Sequence, residues 1–463
     1  MARATQGEVF PMHTATELLA KYDVPGPRYT SYPTVPYWQQ APSQAQWLTH
    51  VSDAITRSRE AGQGGALYVH VPFCRTLCHY CGCNTVITKD ASGAGPYVES
   101  LLAEWQLYVS RLGRVRLEEV HLGGGTPTYL SPAQLERLLS GLLSFADLPA
   151  DAELGVEADP RVTTRAQLEV LARHGFKRLS LGIQDFDEKV QHGVNRYQTV
   201  EEVRVVTEHA RQLGFTSINY DLIYGLPRQT EASIQRTVDE VRALGPDRIA
   251  FYGYAHVPWM KTVQRRFEDE DVPGGAAKRV LYERGRELLL GAKYKEIGLD
   301  HFALESDGLW KAYAQGRMHR NFMGYTDRST MPLFALGTSA IGDTWTAFAQ
   351  NEKSLPAWHA RIAKGELPIV KGHLLDGEDL VLRRLILELM TRFETRWDDS
   401  ALPYLKSLPQ KLRELAGDGL VELTDTSVKV TAAGQPFIRN VCMALDARLA
   451  RQAPDRPLFS RTV

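Results

Sequence analysis

The sequence predicts an α/β protein: six βα units around a parallel sheet, with an N-terminal arm and a mostly helical C-terminal domain. Three observations predict it. Six short apolar runs alternate with segments of helical period between Ala66 and Ala255, four prolines interrupt the stretch DVPGPRYTSYPTVPYW ahead of them, and from about Gly372 the pattern becomes helical. Domain limits follow at 1–60 for the arm, 61–365 for the barrel with its extension, and 366–463 for the C-terminal, winged-helix-like domain.

The arm comes first. Proline removes an amide donor and fixes its own backbone, so the first 60 or so residues read as a segment laid over something else. The apolar runs ALYVHV, EEVHL, AELGVEA, KRLSLGI, SINYDLIY and DRIAFYGYA then read as strands. Between them lie helices such as TVEEVRVVTEHARQLG, which puts Val203, Val206, Ala210 and Leu213 on one face and stops at Gly214. Repeated βα units imply a parallel sheet with right-handed crossovers. A complete eightfold barrel needs about 250 residues, and periodicity leaves open whether this sheet closes or curls part of the way. In the last region Leu382, Leu385, Ile386 and Leu389 share a helical face, and GLVELTDTSVKVTAAG gives two short strand-like runs around a polar turn. That combination resembles a winged helix, which packs against protein as readily as against DNA. A structural cap is the reading preferred here.

With 43% hydrophobic and 24% charged residues, the 463-residue chain can bury at least one large core. Lys plus Arg number 54 and Asp plus Glu 55, so a formal charge of -1 offers no global field for a nucleic-acid backbone. The start, MARATQGEVFPMHTATELLAKYD, lacks the apolar core of a signal peptide, and no later stretch approaches a membrane span. The expected address is cytoplasmic, with no membrane or nucleic-acid partner. Thiols stay reduced there, so clustered cysteines point to metal or redox chemistry rather than disulfides. Cys442, alone, reads as a core residue.

The other four cysteines, Cys74, Cys78, Cys81 and Cys83, lie in HVPFCRTLCHYCGCNT, directly after the first strand. Catalytic groups in parallel α/β folds sit at the carboxyl ends of strands, because loops there vary without breaking the sheet. A structural zinc site would need four closed ligands, with Cys83 or His79 as the fourth, and no second cysteine or histidine pair occurs. An iron-sulfur cluster fits better: three thiolates bind three irons of a four-iron cluster and leave the fourth open to a small molecule. Later strand ends carry further polar groups. EEVHLGGGTPT offers glycines whose backbone can approach a ligand, and Glu157, Gln184 and Asp221 each close an apolar run. A carboxylate there can accept the two hydroxyls of a ribose, though each of these residues also reads as a helix cap or turn former. Arg196 on its own reads as an ion pair.

CxxxCxxC after the first strand of a βα barrel resembles the radical S-adenosylmethionine superfamily, in which the open iron chelates the methionine amino and carboxylate groups; the resemblance implies that the six units form a partial (βα)6 barrel. The segments PGPRYTSYPT, LYVHVPFCRTLCHYCGCNT, HLGGGTPTYL, VEADPR, LGIQDF, NYDLIYGLP, LDHFA and HRNFMGYT together resemble the oxygen-independent coproporphyrinogen III oxidase family, also called coproporphyrinogen dehydrogenases. The resemblance runs from about Arg28 to RNVCMALD. It implies that Cys74, Cys78 and Cys81 ligate a [4Fe-4S] cluster. It also implies that Tyr68, Tyr80, Gly124, Gly125, Thr126, Glu157, Gln184, Arg196, Asp221, Ala255 and Ile341 contact S-adenosylmethionine, some of them a second molecule of it.

The family converts two propionates of coproporphyrinogen III to vinyl groups, giving protoporphyrinogen IX for haem biosynthesis without oxygen. A 5′-deoxyadenosyl radical does this, with a reductant such as flavodoxin or ferredoxin and a separate electron acceptor; a monomer is expected. Arg28, His301, His319 and Arg320 are candidates to hold the substrate's carboxylates. Met323 stands where some members carry glutamine. Cys83 reads as a non-ligand, because a fourth thiolate would block the iron left open for the cofactor; it is the candidate catalytic thiol, with simple packing as its alternative. The rival readings are a haem-binding chaperone-like relative, a radical enzyme acting on another tetrapyrrole, and a winged-helix regulator that reads DNA, which would need a basic face that the balanced charge does not advertise.

Overall fold

The computed structural model describes residues 14–405, 409–452, 454 and 457–462. Its frame is six parallel strands: β1 (Gly65–Val71), β2 (Val115–Gly124), β3 (Glu153–Ala158), β4 (Arg178–Gln184), β5 (Ser217–Tyr224) and β6 (Arg248–Gly253). All six apolar runs form strands. Each strand pairs in parallel with the next in sequence, so every crossover steps the same way round the sheet and all six carboxyl ends meet on one rim. A doubly wound fold would reverse direction partway.

The sheet continues past both edges of this run. On the β1 side come Leu333–Leu336, parallel to β1, and then Ile341–Asp343, Ala347–Asn351 and Ile369–Leu374, all antiparallel; on the β6 side come His301–Ala303 and Lys295–Ile297. Ile369–Leu374 lies inside the segment read as C-terminal, yet it pairs with Ala347–Asn351 in this sheet. The helix expected from about Gly372 starts at Gly377, with Asp376 as its N-cap.

Helices cover the outer face because each presents one apolar stripe to the strands. Val200–Gln212 buries Val203, Val206 and Ala210, and Gly214 follows at a φ of 85° that suits glycine. Ala94–Leu112 buries Tyr97, Leu101, Trp105 and Tyr108, and among them one carboxylate, Glu104. Burial pushes Glu104 up to about 8, and it accepts hydrogen bonds from Gly337 N, Asn351 Nδ2 and Trp358 Nε1. That group ties the helix to the sheet's extension.

A second core joins the two ends of the chain. Leu18, Tyr29 and Tyr32 of the arm pack with Leu382, Leu385, Ile386, Leu389, Val441 and the fully buried Cys442. The Tyr29 hydroxyl donates to Asp446 at 3.0 Å, and the Arg439 guanidinium donates to the carbonyl of Pro27 at 2.9 Å. From the arm, Arg28 reaches the carbonyl of Gly253, at the end of β6, at 2.6 Å. The arm thus straps the C-terminal helices to the barrel rim. The expected pair of strands after Gly419 is present as Val421–Leu423 and Ser427–Val430; a third, Glu394–Arg396, completes a small antiparallel sheet.

Candidate active site

The chain leaves β1 into a loop that carries all four clustered cysteines. Phe73–Cys74 pairs with Val86–Ile87, which anchors both ends of the loop, and Cys81 N donates to the carbonyl of Cys78. The segment after β4 braces it from one side: His79 N donates to the carbonyl of Val194 at 2.9 Å, and Asn195 Nδ2 to that of Leu77 at 2.9 Å. From the other side Gln264 Nε2 reaches the carbonyl of Tyr80.

Cys74, Cys78, Cys81 and Cys83 all line one cavity of about 450 Å³ at the carboxyl ends of the strands. Tyr80, Gly124, Gly125, Thr126, Glu157, Gln184, Arg196 and Asp221 line it as well. Tyr68, Ala255 and Ile341 are not in its wall. The Tyr68 hydroxyl meets His70 Nδ1 at 3.1 Å, the Ala255 carbonyl accepts from Gln264, and Ile341 pairs with Gln350 in the sheet's extension.

Two glycines set how closely the walls approach. A Cβ on Gly125 would lie 2.5 Å from the carbonyl oxygen of Pro72, and one on Gly124, whose φ is 114°, would strike the His70 ring at 2.6 Å. Thr126 Oγ1 then falls 3.4 Å from Cys74 Sγ.

The carboxylates at the strand ends are not helix caps: Thr164 caps the helix after β3 and Thr230 the helix after β5. Glu157 accepts from Gly124 N at 3.0 Å through Oε2, while its Oε1 lies 3.3 Å from His121 Nε2. Burial would raise its pKa, but the His121 and Gly124 hydrogen bonds and the nearby His70 outweigh that and hold it below the usual range. Asp221 moves the opposite way. Burial, and then the charge of Glu157, push it up to about 7, against hydrogen bonds from Asn219 and Ser180. Two neighbouring carboxyls therefore differ in protonation near neutral pH.

Arg196, expected from sequence as a solvated ion pair, is paired but buried. It lies 3.5 Å from Asp159, donates to the carbonyl of Gly182 and touches Cys78 Sγ at 3.7 Å. Asp159 and Arg161, joined at 2.6 Å, also line the cavity and were missed as individual residues, although VEADPR contains both. The thiols of Cys74, Cys78 and Cys81, carried by one loop and lining one cavity, are a donor set that fits a four-iron cluster. Among the described residues, no group of three or more His, Cys, Asp or Glu is placed to hold a metal ion, whereas a four-iron cube takes its thiolates at separate corners. A hydrogen bond from Cys83, against the effect of burial, holds the Cys81 thiol down to about 6. Cys83 itself is exposed at the cavity.

Three of the four expected carboxylate-binding residues gather at Asp300. His301 Nδ1 lies 2.8 Å from it and Arg28 3.8 Å, while Arg320 reaches the backbone carbonyl of Arg28 and stacks over Tyr325. His301 and Met323 line a small cavity of about 90 Å³ that shares Glu157, Ser180 and Asp221 with the larger one. His319 stands apart. Burial, and then the charge of Arg383, hold it down to about 4, so it is neutral at pH 7.

Residues 68–241 match the family model of the radical SAM superfamily. The chain is 40% identical over 457 residues to the oxygen-independent coproporphyrinogen III oxidase of Pseudomonas aeruginosa, covering 96% of this chain and 98% of that protein. It is 38% identical over 453 residues to the protein of that name from Escherichia coli, with 96% and 98% covered. A solved coproporphyrinogen III oxidase from Escherichia coli, a radical SAM enzyme, superposes with a TM-score of 0.84 at 36% identity, over 91% of this chain and 97% of that one.

Proposed function

Because this chain belongs to the family of oxygen-independent coproporphyrinogen III oxidases, within the radical SAM superfamily, we propose that it converts two propionates of coproporphyrinogen III to vinyl groups, giving protoporphyrinogen IX. The observation that carries the reading is the single cavity that joins three thiols of CxxxCxxC to Glu157, Gln184 and Asp221 at the ends of β3, β4 and β5.

In this reading Cys74, Cys78 and Cys81 hold a [4Fe-4S] cluster, and the rest of the wall holds S-adenosylmethionine. When bound, the two together supply a 5′-deoxyadenosyl radical that takes a hydrogen atom from a propionate β-carbon. The chain's own contribution is to bind, orient and exclude. Gly124 and Gly125, which pack against His70 and the Pro72 carbonyl where a Cβ would clash, would offer their backbone to the cofactor from the cavity wall. Glu157 presents carboxylate lone pairs to a ribose diol, and Asp221 supplies a second acceptor beside it. Arg196, held by Asp159, sets positive charge against Cys78. Tyr68, Ala255 and Ile341 lie outside this cavity's wall; the reading keeps them as cofactor contacts, and some of the contact set serve a second S-adenosylmethionine.

The substrate's carboxylates are assigned to Arg28, His301 and Arg320, with His319 as a neutral hydrogen-bonding group. Cys83, exposed beside Cys81, is the thiol assigned to relay a proton or electron or to position the tetrapyrrole. Loss of carbon dioxide and one electron from the substrate completes each vinyl. Each turn therefore takes one electron from a reductant such as flavodoxin or ferredoxin and delivers one to a separate acceptor. The reading includes a monomer in the cytoplasm, where thiols stay reduced; among the described residues no helix is long and apolar enough to cross a membrane.

The test is anaerobic turnover of the reconstituted protein with coproporphyrinogen III, reductant and S-adenosylmethionine, with products identified by mass. The expected result is a singly decarboxylated intermediate, then the divinyl product, with one 5′-deoxyadenosine per vinyl. Cofactor cleavage without vinyl product would instead point to another tetrapyrrole, and haem bound without turnover to a chaperone.

A further inference from the structure

One cross-strand row runs beneath the cavity. Tyr68 of β1 is in register with His121 of β2, His121 with Gly155 of β3, and Gly155 with Arg178 of β4. Tyr68 stacks on the His121 ring at 6.1 Å, with 13° between the planes. Gly155 contributes no side chain, so Arg178 reaches across it. Arg178 Nη2 lies 3.1 Å from His121 Nδ1, while a Cβ on Gly155 would fall 2.8 Å from Arg178 Nε and 3.1 Å from His121 Nδ1. Glu153, at 2.9 Å, and Glu119, at 3.8 Å, accompany the guanidinium there as charge partners rather than through hydrogen bonds.

A guanidinium donates and never accepts. His121 Nδ1 must therefore be the accepting nitrogen, which puts the ring hydrogen on Nε2, 3.3 Å from Glu157 Oε1. With Gly124 N on Oε2 at 3.0 Å, each carboxylate oxygen has one fixed donor from the protein and keeps a lone pair for a ligand. We propose that His121 and Arg178 are positioning residues for Glu157: Arg178, crossing at Gly155, selects the ring form of His121 whose Nε2–H orients the carboxylate toward the ribose of S-adenosylmethionine. This rests on the assignment of Glu157 to the cofactor ribose. The row arrangement parallels the way a ligating histidine is oriented through its second nitrogen, here applied to a carboxylate.

The experiment measures S-adenosylmethionine affinity by equilibrium dialysis on the cluster-loaded, unreduced protein, with the cluster's absorption as a control. Glutamine at position 121 can imitate the required polarity, since its amide oxygen accepts from Arg178 and its NH2 donates to Glu157. His121→Leu has the bulk without either group. The expected result is affinity weakened about tenfold in His121→Leu and Arg178→Met, the scale of losing a hydrogen bond to a charged group, and restored to within about threefold of the parent in His121→Gln. Gly155→Ala crowds the flexible end of Arg178 at 2.8 Å and the His121 ring at 3.1 Å, far from the cysteine loop, so it should weaken affinity without loss of the cluster. If His121→Gln is as weak as His121→Leu, the donor and acceptor polarity is irrelevant and the proposal fails; parent-like affinity in both Gly155→Ala and Arg178→Met also overturns it. Should His121→Leu not retain its cluster, the Gln, Met and Ala variants decide the matter. Glu157→Gln separates the two levels: parent-like affinity there defeats the ribose assignment itself, while weakening there with no effect at Gly155, Arg178 and His121 defeats only the positioning pair.

Discussion

Replacing Asp221 with asparagine should make the cluster-free protein more stable and its cofactor site worse. Asp221 ionises near 3.8 in the unfolded chain, but burial and the Glu157 charge raise it to about 7 in the folded one. Between those values the unfolded chain gives up a proton that the folded chain retains, so stability falls as pH rises through that window, and the whole cost is present above about pH 7. A shift of about three pH units, at about 1.4 kcal/mol each, amounts to about 4 kcal/mol. Asp221 faces a solvent-accessible cavity, which reduces the expected figure to about 2 kcal/mol. Asparagine retains the local geometry. Its oxygen accepts from Asn219 Nδ2, as Oδ1 does now at 2.8 Å, and its NH2 donates to Ser180 Oγ, which at present donates to Oδ2 at 3.1 Å. Urea unfolding should show Asp221→Asn more stable than the parent by about 2 kcal/mol at pH 8 and by less than half of that at pH 5. A variant no more stable at pH 8, or one that gains equally at both pH values, would refute a carboxylate held at a cost for function.

Cys74→Ala, Cys78→Ala and Cys81→Ala should each abolish the four-iron cluster, and metal analysis of anaerobically purified parent protein showing stoichiometric zinc with little iron would sink that chemistry. Gly125→Ala places a methyl 2.5 Å from the Pro72 carbonyl oxygen, at the root of the cysteine loop; it should cost about 1–3 kcal/mol in thermal stability and weaken cofactor binding, and a parent-like melt would show that the loop yields freely. Cys83→Ser should keep the cluster and cofactor cleavage but lose vinyl formation, read from iron content, deoxyadenosine yield and product mass on one preparation. Loss of its cluster would make Cys83 a ligand, and normal vinyl yield would leave it a packing role.

The sequence by itself determined what is written locally. Strand runs and helix faces follow from short-range periodicity, which is why the runs around Tyr68, Val120, Val156, Leu181, Tyr220 and Ile249 could be placed without a structure. The cysteine spacing lies within one loop, and Glu157 and Asp221 stand out because a polar residue closing an apolar strand needs a partner. Tertiary structure decided what depends on strand register and on contacts between distant segments. Asp159 and Arg161 acquire meaning only once Arg196 folds back beside Cys78, 118 positions away in the chain. The strands Ile369–Leu374 and Glu394–Arg396 are short and partly polar, so they are fixed by their pairing partners rather than by their own residues. Gly155 shows the difference most plainly. In sequence it is a weak point in a strand; in register between His121 and Arg178 it is the gap through which one side chain reaches another, because a missing Cβ matters only where two neighbouring strands point side chains into the same space.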